Sequence, residues 1–455
     1  MKLKKSRFNI VIDQLPDDCQ LIYNSFSGIF GIMDAESRSV FEDIENFTPD
    51  GKSDDVMENV SVMRHAGYIV DTNLDELTAI KLERNQHRMN SPHLSLTIAP
   101  TMDCNMNCPY CYENKSTIAM SDEVQQLLLD FVQVHFKSNP DIKSLHVTWY
   151  GGEPLMQKGV IHSLSAKLIE ICETNDKAYS AGIITNGALL DVETAKQLVE
   201  NCKISHAQVT VDGMRDTHNA RRILASGEDS FTIVTRNIDA CKDILPINVR
   251  VNVDKNNADE VDVLTKYFVD DMGWKGNPQF YVSPVEIQEG DSCSLDSSVC
   301  FQGEEFADIS LKTIRASYVT NRDAVVRSFF PSRKTLFCSG EGANSYVIDP
   351  EGNYYNCYRY IGMAEHVTGH ISKPFLITEK YGEWLLADIK DKCEKCEYLP
   401  MCMGGCAIYR LEGDKEPKCF FASFTYKGVL KLAYEDYVAR QITTRTAIST
   451  TKCAG

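Results

Sequence analysis

Short segments of apolar or alternating residues recur between residues 91 and 285, and longer segments with helical periodicity separate them. The short segments predict six strands at Leu94–Ala99, Ser144–Trp149, Ala181–Thr185, Gln208–Val211, Asn248–Val253 and Gln279–Val282. The helical patterns between them are Asp122–Phe136, Ile161–Glu173, Val192–Glu200, Phe231–Lys242 and Asp259–Val269. This alternation predicts an α/β fold with a parallel sheet, whose chemistry lies on the loops after the strands.

The first 90 residues have a different pattern, in which three strand patterns precede three helical ones. The strand patterns are Phe8–Asp13, Gln20–Ser25 and Gly28–Met33, and the helices begin near Asp34, Ser53 and Leu74. This element order is similar to that of the small winged-helix domain that binds the leader of a ribosomally made peptide. The resemblance implies that an exposed strand edge accepts the leader as an added strand. A plain capping domain is the alternative, and the acidic composition of Ala35–Asn46 argues against a DNA-reading domain.

Composition narrows the class of protein further. A chain of 455 residues predicts two to four domains, and its net charge of −17 disfavours a nucleic-acid partner. No run of 18 apolar residues is present, which predicts no membrane span, and the basic N-terminus lacks the apolar stretch of a signal peptide. The 17 cysteines are odd in number and clustered, a pattern typical of reduced thiols and metal clusters in the cytoplasm.

The chemistry centres on Thr101–Tyr112, which contains Cys104-x3-Cys108-x2-Cys111 directly after the first strand of the predicted sheet. Three thiolates can hold three irons of a four-iron four-sulfur cluster and leave the fourth iron open to a small molecule. A zinc site or a disulfide is the alternative, but zinc prefers four ligands arranged in pairs. The spacing resembles the signature of the radical S-adenosylmethionine (SAM) superfamily. That resemblance implies a SAM-binding cluster, with Tyr110 near the adenine.

A second motif, Gly151-Gly152-Glu153-Pro154, follows the second predicted strand, and Thr185-Asn186-Gly187 follows the third. Paired glycines allow the backbone to approach another group closely. The first motif resembles the radical SAM segment that meets the amino group of SAM, where Glu153 places a negative charge. In isolation it could be an ordinary tight turn.

The segment Val209–Arg222 looks like the fourth-strand segment of the same family. The resemblance implies that Thr210 meets the ribose or carboxylate of SAM, and that Arg222 pairs with the carboxylate through a guanidinium fork. Arg221 is the alternative for that contact. Asn252, in the fifth strand, falls in a motif that resembles the one beside the adenosine. An ordinary strand-end polar role remains open for each of these residues.

The C-terminal third carries a second set of cysteines with regular spacing. The set comprises Cys338 and Cys357, then Cys393-x2-Cys396-x5-Cys402-x3-Cys406, and finally Cys419. It resembles the seven-cysteine SPASM domain of radical SAM peptide-modifying enzymes, which carries two auxiliary four-iron four-sulfur clusters. By that resemblance Cys393, Cys396, Cys402 and Cys419 hold the outer cluster, and Cys338, Cys357 and Cys406 serve the inner one.

The fourth position of the inner cluster is left open by the sequence. Asn344 stands where some relatives have a fourth cysteine, so one iron could bind a substrate thiolate. Cys293 or Cys300 could fill the position instead. A zinc ribbon acting as a binding scaffold is the non-enzyme alternative for the region.

These patterns together predict a partial (β/α)6 barrel between two smaller domains. The predicted divisions are 1–90 for leader recognition, 91–285 for the barrel, 286–330 as a bridge, 331–425 for the SPASM domain and 426–455 for a helix and tail.

The resemblance implies a cytoplasmic radical SAM/SPASM peptide maturase with three four-iron four-sulfur clusters and SAM. Its partners would be a precursor peptide with a leader and an electron donor such as flavodoxin or ferredoxin. The expected reaction uses a 5′-deoxyadenosyl radical to form a thioether between a cysteine sulfur and a carbon. A carbon–carbon crosslink between side chains and the formylglycine chemistry of anaerobic sulfatase maturation are alternatives.

Overall fold

The computed structural model describes residues 2–13, 19–274, 277–287, 291, 293–320, 329–411 and 418–452. Residues 288–290, 292 and 321–328 of the predicted bridge lie outside the described residues. The chain forms two compact units. One unit comprises Met1–Gln86, Val325–Phe337 and Asp388–Gly455, and the other comprises His87–Ala324 and Cys338–Ala387.

The first unit begins with five strands and three helices. They are β1 (Leu3–Lys5), β2 (Asn9–Ile12), β3 (Gln20–Asn24), β4 (Ile29–Met33), α1 (Ala35–Glu42), α2 (Asp54–His65), β5 (Ile69–Asp71) and α3 (Glu76–Met89). Strands β2, β3 and β4 form an antiparallel sheet, while β1 pairs with β5 in a separate ribbon. The predicted order of three strands followed by helices is confirmed, and the three-residue strand β1 is an addition.

Capping side chains explain where the first helices begin. Asp34 accepts a hydrogen bond from the Ser37 N–H at 2.8 Å, and Ser53 accepts one from the Val56 N–H. Such side-chain acceptors satisfy N–H groups that have no partner inside the helix. The predicted first helix is shorter than expected, because α1 ends at Glu42 and a 3-10 turn, Ile44–Asn46, follows it.

The β2–β3–β4 sheet is covered on both faces. Alternate residues of β3 point to opposite sides, so Ile22 packs with residues of α1 and α2 such as Phe41 and Met63. On the other face, Leu21 and Tyr23 pack with residues of the C-terminal segment: Met401, Tyr426, Leu430 and Tyr434. The N-terminal and C-terminal segments of this unit therefore share one hydrophobic core.

The C-terminal part of the first unit is built of short helices and one long one. They are α12 (Asp391–Glu394), α13 (Leu399–Cys402), α14 (Ala407–Leu411) and α15 (Tyr426–Lys452).

The second unit contains the predicted parallel sheet. Its strands are β6 (His93–Ile98), β7 (Ser144–Trp149), β8 (Ala178–Thr185), β9 (Ile204–Thr210), β10 (Ile247–Val253) and β11 (Gln279–Pro284). Every neighbouring pair from β6 to β11 is parallel, so the six β/α units are confirmed. The sheet continues beyond β6 through β12 (Ser345–Ile348), β13 (Asn353–Tyr355) and β14 (Gly369–His370) and does not close, as a partial barrel requires.

The helices of this unit include four of the five predicted ones and three that the sequence did not predict. They are α4 (Asp122–Ser138), α5 (Lys158–Thr174), α6 (Val192–Cys202), α7 (Arg215–Arg221), α8 (Ser230–Cys241), α9 (Val261–Lys266), α10 (Gly303–Thr320) and α11 (Glu379–Leu386). Helices α7, α10 and α11 were not predicted. The helix predicted at Asp259–Val269 is in fact a 3-10 turn, α9 and a π turn at Tyr267–Asp271. No helix among the described ranges is both long and apolar enough to cross a bilayer.

Candidate active site at the carboxyl edge of the parallel sheet

Strand alternation separates a packed face of the parallel sheet from a polar one. Along β10, Val249 and Val251 are buried in the core, whereas Arg250 and Asn252 lie on the opposite face. The predicted site residues occur on that polar face or on the loops that follow β6 to β10. The expected clustering at the carboxyl ends of the strands is therefore what the structure has.

The cysteine loop after β6 is fixed by its own polar groups. The Thr101 hydroxyl donates to Ile118 O at 2.8 Å and accepts from the Asp103 N–H at 3.0 Å. The Lys115 ammonium donates to Met106 O and to Asn107 Oδ1. These bonds hold the backbone around the three cysteines in a defined shape.

The three thiols of this loop have the chemistry that an iron–sulfur cluster requires. Cys104, Cys108 and Cys111 are free and only partly exposed. Burial raises the pKa of Cys104 to about 11 and that of Cys111 to about 12, so both are thiols unless a cation stabilises the thiolate. Iron bound there would do so, because coordinated thiols lose their proton. The residues present therefore fit the cluster that the spacing predicts.

Among the described residues, no three His, Cys, Asp or Glu side chains are placed to ligate one metal ion. The thiolates of a four-iron cluster each bind a different iron, so they are spread more widely than the ligands of a single ion.

Gly151 and Gly152 let the end of β7 lie directly against the cysteine loop. Gly151 has a φ of +106°, and a Cβ there would lie 2.4 Å from Thr101 O. A Cβ on Gly152 would lie 2.2 Å from Asp103 O, and the adjoining Glu153 N–H donates to that same oxygen at 2.8 Å. The close approach that two glycines allow is thus made to the backbone that carries Cys104.

Replacing Gly152 with alanine is expected to impair assembly of the cluster although every cysteine remains. The added methyl group would meet the Asp103 carbonyl, so the cysteine loop has to shift. Anaerobically reconstituted Gly152→Ala should bind about four fewer irons per chain than the wild type. Gly159→Ala is the matched control, since a Cβ there meets no atom within 4 Å and alanine favours a helix. Full iron content in Gly152→Ala would contradict this account of the motif.

Glu153 joins the ends of two strands. Its fully buried carboxylate accepts from the Leu155 N–H at 3.0 Å, the Thr185 hydroxyl at 2.7 Å and the Asn186 N–H at 2.7 Å. Burial raises the pKa of Glu153, although these three bonds oppose that shift. Its contacts in the structure are therefore with protein donors, which lock the loop after β7 to the loop after β8.

Asn186 extends this lock to the cysteine loop. Its side-chain N–H donates to Asn105 Oδ1 at 2.6 Å and lies 4.0 Å from Cys104 Sγ. Pro154 begins a short 3-10 turn, Pro154–Gln157, which leads into α5. The predicted residues Glu153, Thr185 and Asn186 are therefore brought together beside the first cysteine.

Tyr110 is the meeting point of a second group of predicted residues. Its hydroxyl donates to the Asp212 carboxylate and accepts from Arg222 Nη1 at 2.7 Å and from Asn252 Nδ2 at 3.3 Å. Asp212 is fully buried and also accepts from the Asn252 N–H at 2.8 Å. Sequence reasoning did not assign Asp212 a role, although its position at the end of β9 was a signal.

The two candidate arginines after β9 differ in their partners. Arg221 is buried in an ion pair with Asp254 at 2.7 Å. Arg222 has no carboxylate within 4 Å in the described part of the chain, and its buried Nε has no hydrogen-bond partner there. Thr210, the last residue of β9, is buried and is the register partner of Arg250 on β10. Of the two arginines, Arg222 is the one whose fork remains free for a carboxylate.

Sequence reasoning also missed a buried acid directly after the cysteine motif. Burial raises the pKa of Glu113 to about 7, and Tyr150 hydrogen-bonds to it. The Tyr150 hydroxyl also pairs with that of Tyr112. The signal in the sequence was an acid next to Cys111-Tyr112, in a segment with few other charges.

The predicted outer-cluster cysteines converge within the first unit. Burial raises the pKa of Cys402 to about 11, and the neighbouring Cys393, Cys396 and Cys419 thiols raise it further. Cys396 also accepts the Tyr398 N–H at 3.4 Å. Four mutually close thiols are a suitable ligand set for one iron–sulfur cluster.

The remaining cysteines lie in different parts of the chain. Cys338 and Cys357 belong to the second unit, where Tyr358 is near both, and Cys406 belongs to the first. The Asn344 side chain donates to Ser91 O at 2.8 Å, so it has a structural partner.

The segment 293–300, which holds Cys293 and Cys300, reaches the loop of Cys104, Cys108 and Cys111. Both the N–H and the hydroxyl of Ser294 donate to Pro109 O, between Cys108 and Cys111.

Comparison with known proteins identifies the central region. A family model described as the Radical SAM superfamily matches residues 98–267. A cysteine-type anaerobic sulfatase-maturating enzyme from Clostridium perfringens is 25% identical over 382 residues, which are 75% of this chain and 97% of that protein.

Solved structures share the fold. The structure described as native anSMEcpe with bound AdoMet and Cp18Cys peptide has a TM-score of 0.58 at 22% identity, covering 77% of this chain and all of its own. SuiB of Streptococcus suis bound to precursor peptide SuiA has a TM-score of 0.52 at 16% identity, covering 93% of this chain and 99% of its own.

Proposed function

We propose that this chain, which is a radical SAM enzyme, modifies a ribosomally made precursor peptide by joining a cysteine sulfur to a carbon as a thioether. One observation carries the proposal. The likeness to SuiB covers 93% of the chain, whereas the likeness to the sulfatase-maturating enzyme covers about three quarters. SuiB is solved with a precursor peptide, and its likeness extends over a larger share of this chain.

The second unit would hold the machinery common to radical SAM enzymes. Cys104, Cys108 and Cys111 would ligate the cluster, which with bound SAM supplies a 5′-deoxyadenosyl radical when reduced by a donor such as flavodoxin or ferredoxin. Arg222 would bind the SAM carboxylate, and Gly151 and Gly152 hold the cysteine loop where the ligand meets it. The protein's own work is to position the reacting groups and exclude water.

Tyr110 would line the adenosine side of that site. Because Asp212, Arg222 and Asn252 all bond to its hydroxyl, the position of the side chain is fixed. Thr210 and Asn252 would complete the polar wall around the ribose. This restricted geometry would keep the reactive carbon at one place relative to the peptide.

We further propose that the ten motif cysteines hold three four-iron clusters, about 12 irons per chain. The convergence of Cys393, Cys396, Cys402 and Cys419 supports the outer cluster. The auxiliary clusters would accept the electron left after bond formation or ligate a substrate thiolate.

The leader of the peptide would bind to the first unit by strand addition to β4. This strand is the last in the order β2–β3–β4, so its outer edge has no strand partner among the described residues. Ile29 and Ile32 on it are 36% and 37% exposed. An open edge with apolar side chains suits an added peptide strand.

An acidic residue on β4 is expected to weaken leader binding without harming catalysis. Ile32→Glu should raise the KM for the full-length precursor about tenfold or more, because a charge must be desolvated against the added strand. SAM cleavage in the absence of peptide should be unchanged. Val263→Glu is the matched control, since Val263 is 53% exposed on α9. Equal KM values for Ile32→Glu and wild type would remove β4 from the leader site.

Sulfatase maturation is the second candidate, and the 25% identity to a sulfatase-maturating enzyme favours it. Thioether formation keeps the cysteine sulfur in the peptide and consumes its thiol. Conversion of cysteine to formylglycine releases the sulfur and leaves an aldehyde. Sulfide release with an aldehyde on the substrate would therefore select the second candidate, whereas retained sulfur with no alkylatable thiol would select the first. Retained sulfur with a free thiol on a crosslinked peptide would indicate a carbon–carbon link.

A further inference from the structure

Arg250 stands out on the polar face of the parallel sheet because no carboxylate among the described residues lies within 4 Å of it. Three other largely buried arginines of the second unit have carboxylate partners: Arg88 with Glu341, Arg221 with Asp254 and Arg359 with Asp291. Two arginines near the site, Arg222 and Arg250, have no carboxylate within 4 Å in the described part of the chain. The proposed SAM site supplies a carboxylate partner for Arg222. Arg250 is then the arginine whose counterion has to be identified.

The head of Arg250 points toward the carboxyl edge of the sheet. Its Nε donates to Asn252 Oδ1 at 2.7 Å, and its Nη2 donates to Ser283 Oγ at 3.0 Å. Asn252 and Ser283 are register partners on β10 and β11, one layer nearer that edge than Arg250 itself. The guanidinium therefore lies in the layer that contains Asn252, beside the proposed SAM site.

Neutral groups, not acids, surround this guanidinium. Tyr281 is its register partner on β11 and donates its hydroxyl to Gln208 at 2.6 Å. Burial raises the pKa of Tyr281, so this phenol does not become an anion at neutral pH. The Asp212 carboxylate, at the end of the neighbouring strand β9, accepts from the Asn252 N–H and the Tyr110 hydroxyl.

The guanidinium of Arg250 has more donors than its protein partners occupy. It has five N–H groups; Asn252 and Ser283 accept from two of them, and the Tyr281 hydroxyl also hydrogen-bonds to the guanidinium. At least two N–H groups are left, and neighbouring N–H groups of a guanidinium suit the two oxygens of a carboxylate. A ligand bound on the polar face of the sheet would also remove water from Arg250. Because a desolvated cation without a counterion is costly, an anionic ligand is favoured there.

We propose that Arg250 binds the carboxylate of an aspartate or glutamate side chain in the peptide substrate, next to the carbon that loses hydrogen. The inference rests on the proposed function and names a feature of its substrate. Two candidate ligands carry a carboxylate: the peptide and the methionine part of SAM. The experiments below distinguish between them.

The first measurement is SAM affinity in the anaerobic holoenzyme without peptide. Arg222→Gln should weaken SAM binding about 10- to 100-fold, as expected for loss of a charge-assisted contact. Arg250→Gln should change it less than about threefold, like the control Arg236→Gln on the exposed face of α8. If Arg250→Gln weakens SAM binding as strongly as Arg222→Gln does, the carboxylate that Arg250 binds is that of SAM, and the proposal is wrong.

The second measurement uses a synthetic precursor peptide with a leader, core cysteines and core Asp or Glu residues, and a version with each core Asp or Glu changed to its amide. For wild type, kcat/KM should fall about 10- to 100-fold on the amide version. Arg250→Gln should be equally slow on both peptides, because the pair is already broken. Arg250→Lys should retain the preference for the acidic peptide. Equal rates of wild type on both peptides overturn the proposal but leave the proposed function standing, whereas no modification of either peptide overturns both.

Thermal stability separates this role from a structural one. Arg221→Gln leaves Asp254 buried without its partner and should lower the Tm of the holoenzyme by about 5 °C or more. Arg250→Gln leaves no acid unpaired and should not lower the Tm. A large loss of stability in Arg250→Gln would assign the residue to the fold and contradict a substrate role.

Discussion

Changing Cys104, Cys108 and Cys111 together to alanine is expected to remove about four irons per chain and to abolish SAM cleavage. The loop that holds these residues is fixed by Thr101, Lys115 and the glycines that follow β7. Its shape should therefore survive the loss of the thiols, so the variant tests ligation and not folding. The measurements are iron content after anaerobic reconstitution and 5′-deoxyadenosine formed with a strong reductant.

The matched control replaces three cysteines outside the motifs, Cys172, Cys202 and Cys241, which are buried on or beside helices of the barrel. That triple variant should keep its iron and its SAM cleavage. Deoxyadenosine production by the first variant, at a rate near that of wild type, would show that SAM is cleaved elsewhere.

Changing Cys393 and Cys402 to alanine should remove a different set of about four irons and end peptide modification. SAM cleavage without peptide should continue, because the loop of Cys104 lies in the other unit. Metal binding at such a site also contributes to folding. Cys393, Leu399 and Met403 pack in the core that holds Phe8 and Ile80, so the Tm of the variant should fall.

Cys19→Ala serves as the control for this pair, since Cys19 is a partly exposed cysteine of the same unit outside any motif. It should retain full iron content and full peptide modification. If Cys393→Ala with Cys402→Ala bound as much iron as wild type, these residues would not be cluster ligands. If the variant still modified the peptide, the outer cluster would be dispensable for the reaction.

The shared core of the first unit changes how leader binding should be tested. Deleting residues 1–90 would remove Leu21 and Tyr23 from their contacts in the core that holds Met401 and Leu430, and would expose that apolar surface. Such a truncation would lose activity whether or not the segment binds a leader. A single charge on the β4 edge avoids that ambiguity.

The sequence was most informative where structure is local and periodic. Strand β7 was predicted with its observed bounds, because alternating buried residues and the following glycines mark both its face and its end. Strands β1 and β14 are two or three residues long and carry no period, so only their pairing partners define them. Helix α7 was missed because it is seven residues long and lacks a side-chain cap.

The site shows the same division between local and long-range information. The spacing of Cys104, Cys108 and Cys111 is a local property, so a sequence motif can reveal it. The difference between Arg221 and Arg222 depends on Asp254, which approaches from the end of another strand. The bonds of Glu153 to the loop after β8 likewise depend on tertiary structure. Residues whose roles come from such partners cannot be assigned by spacing alone.

Hydrogen transfer from peptide to SAM-derived product tests the central claim most directly. The precursor peptide is prepared with deuterium at its side-chain and α-carbons, and is incubated anaerobically with holoenzyme, SAM and reductant. We predict deuterium in the 5′-deoxyadenosine, together with a peptide that has lost two hydrogens, kept its sulfur and no longer reacts with a thiol alkylating reagent. Deoxyadenosine without deuterium, over an unchanged peptide, would contradict the account.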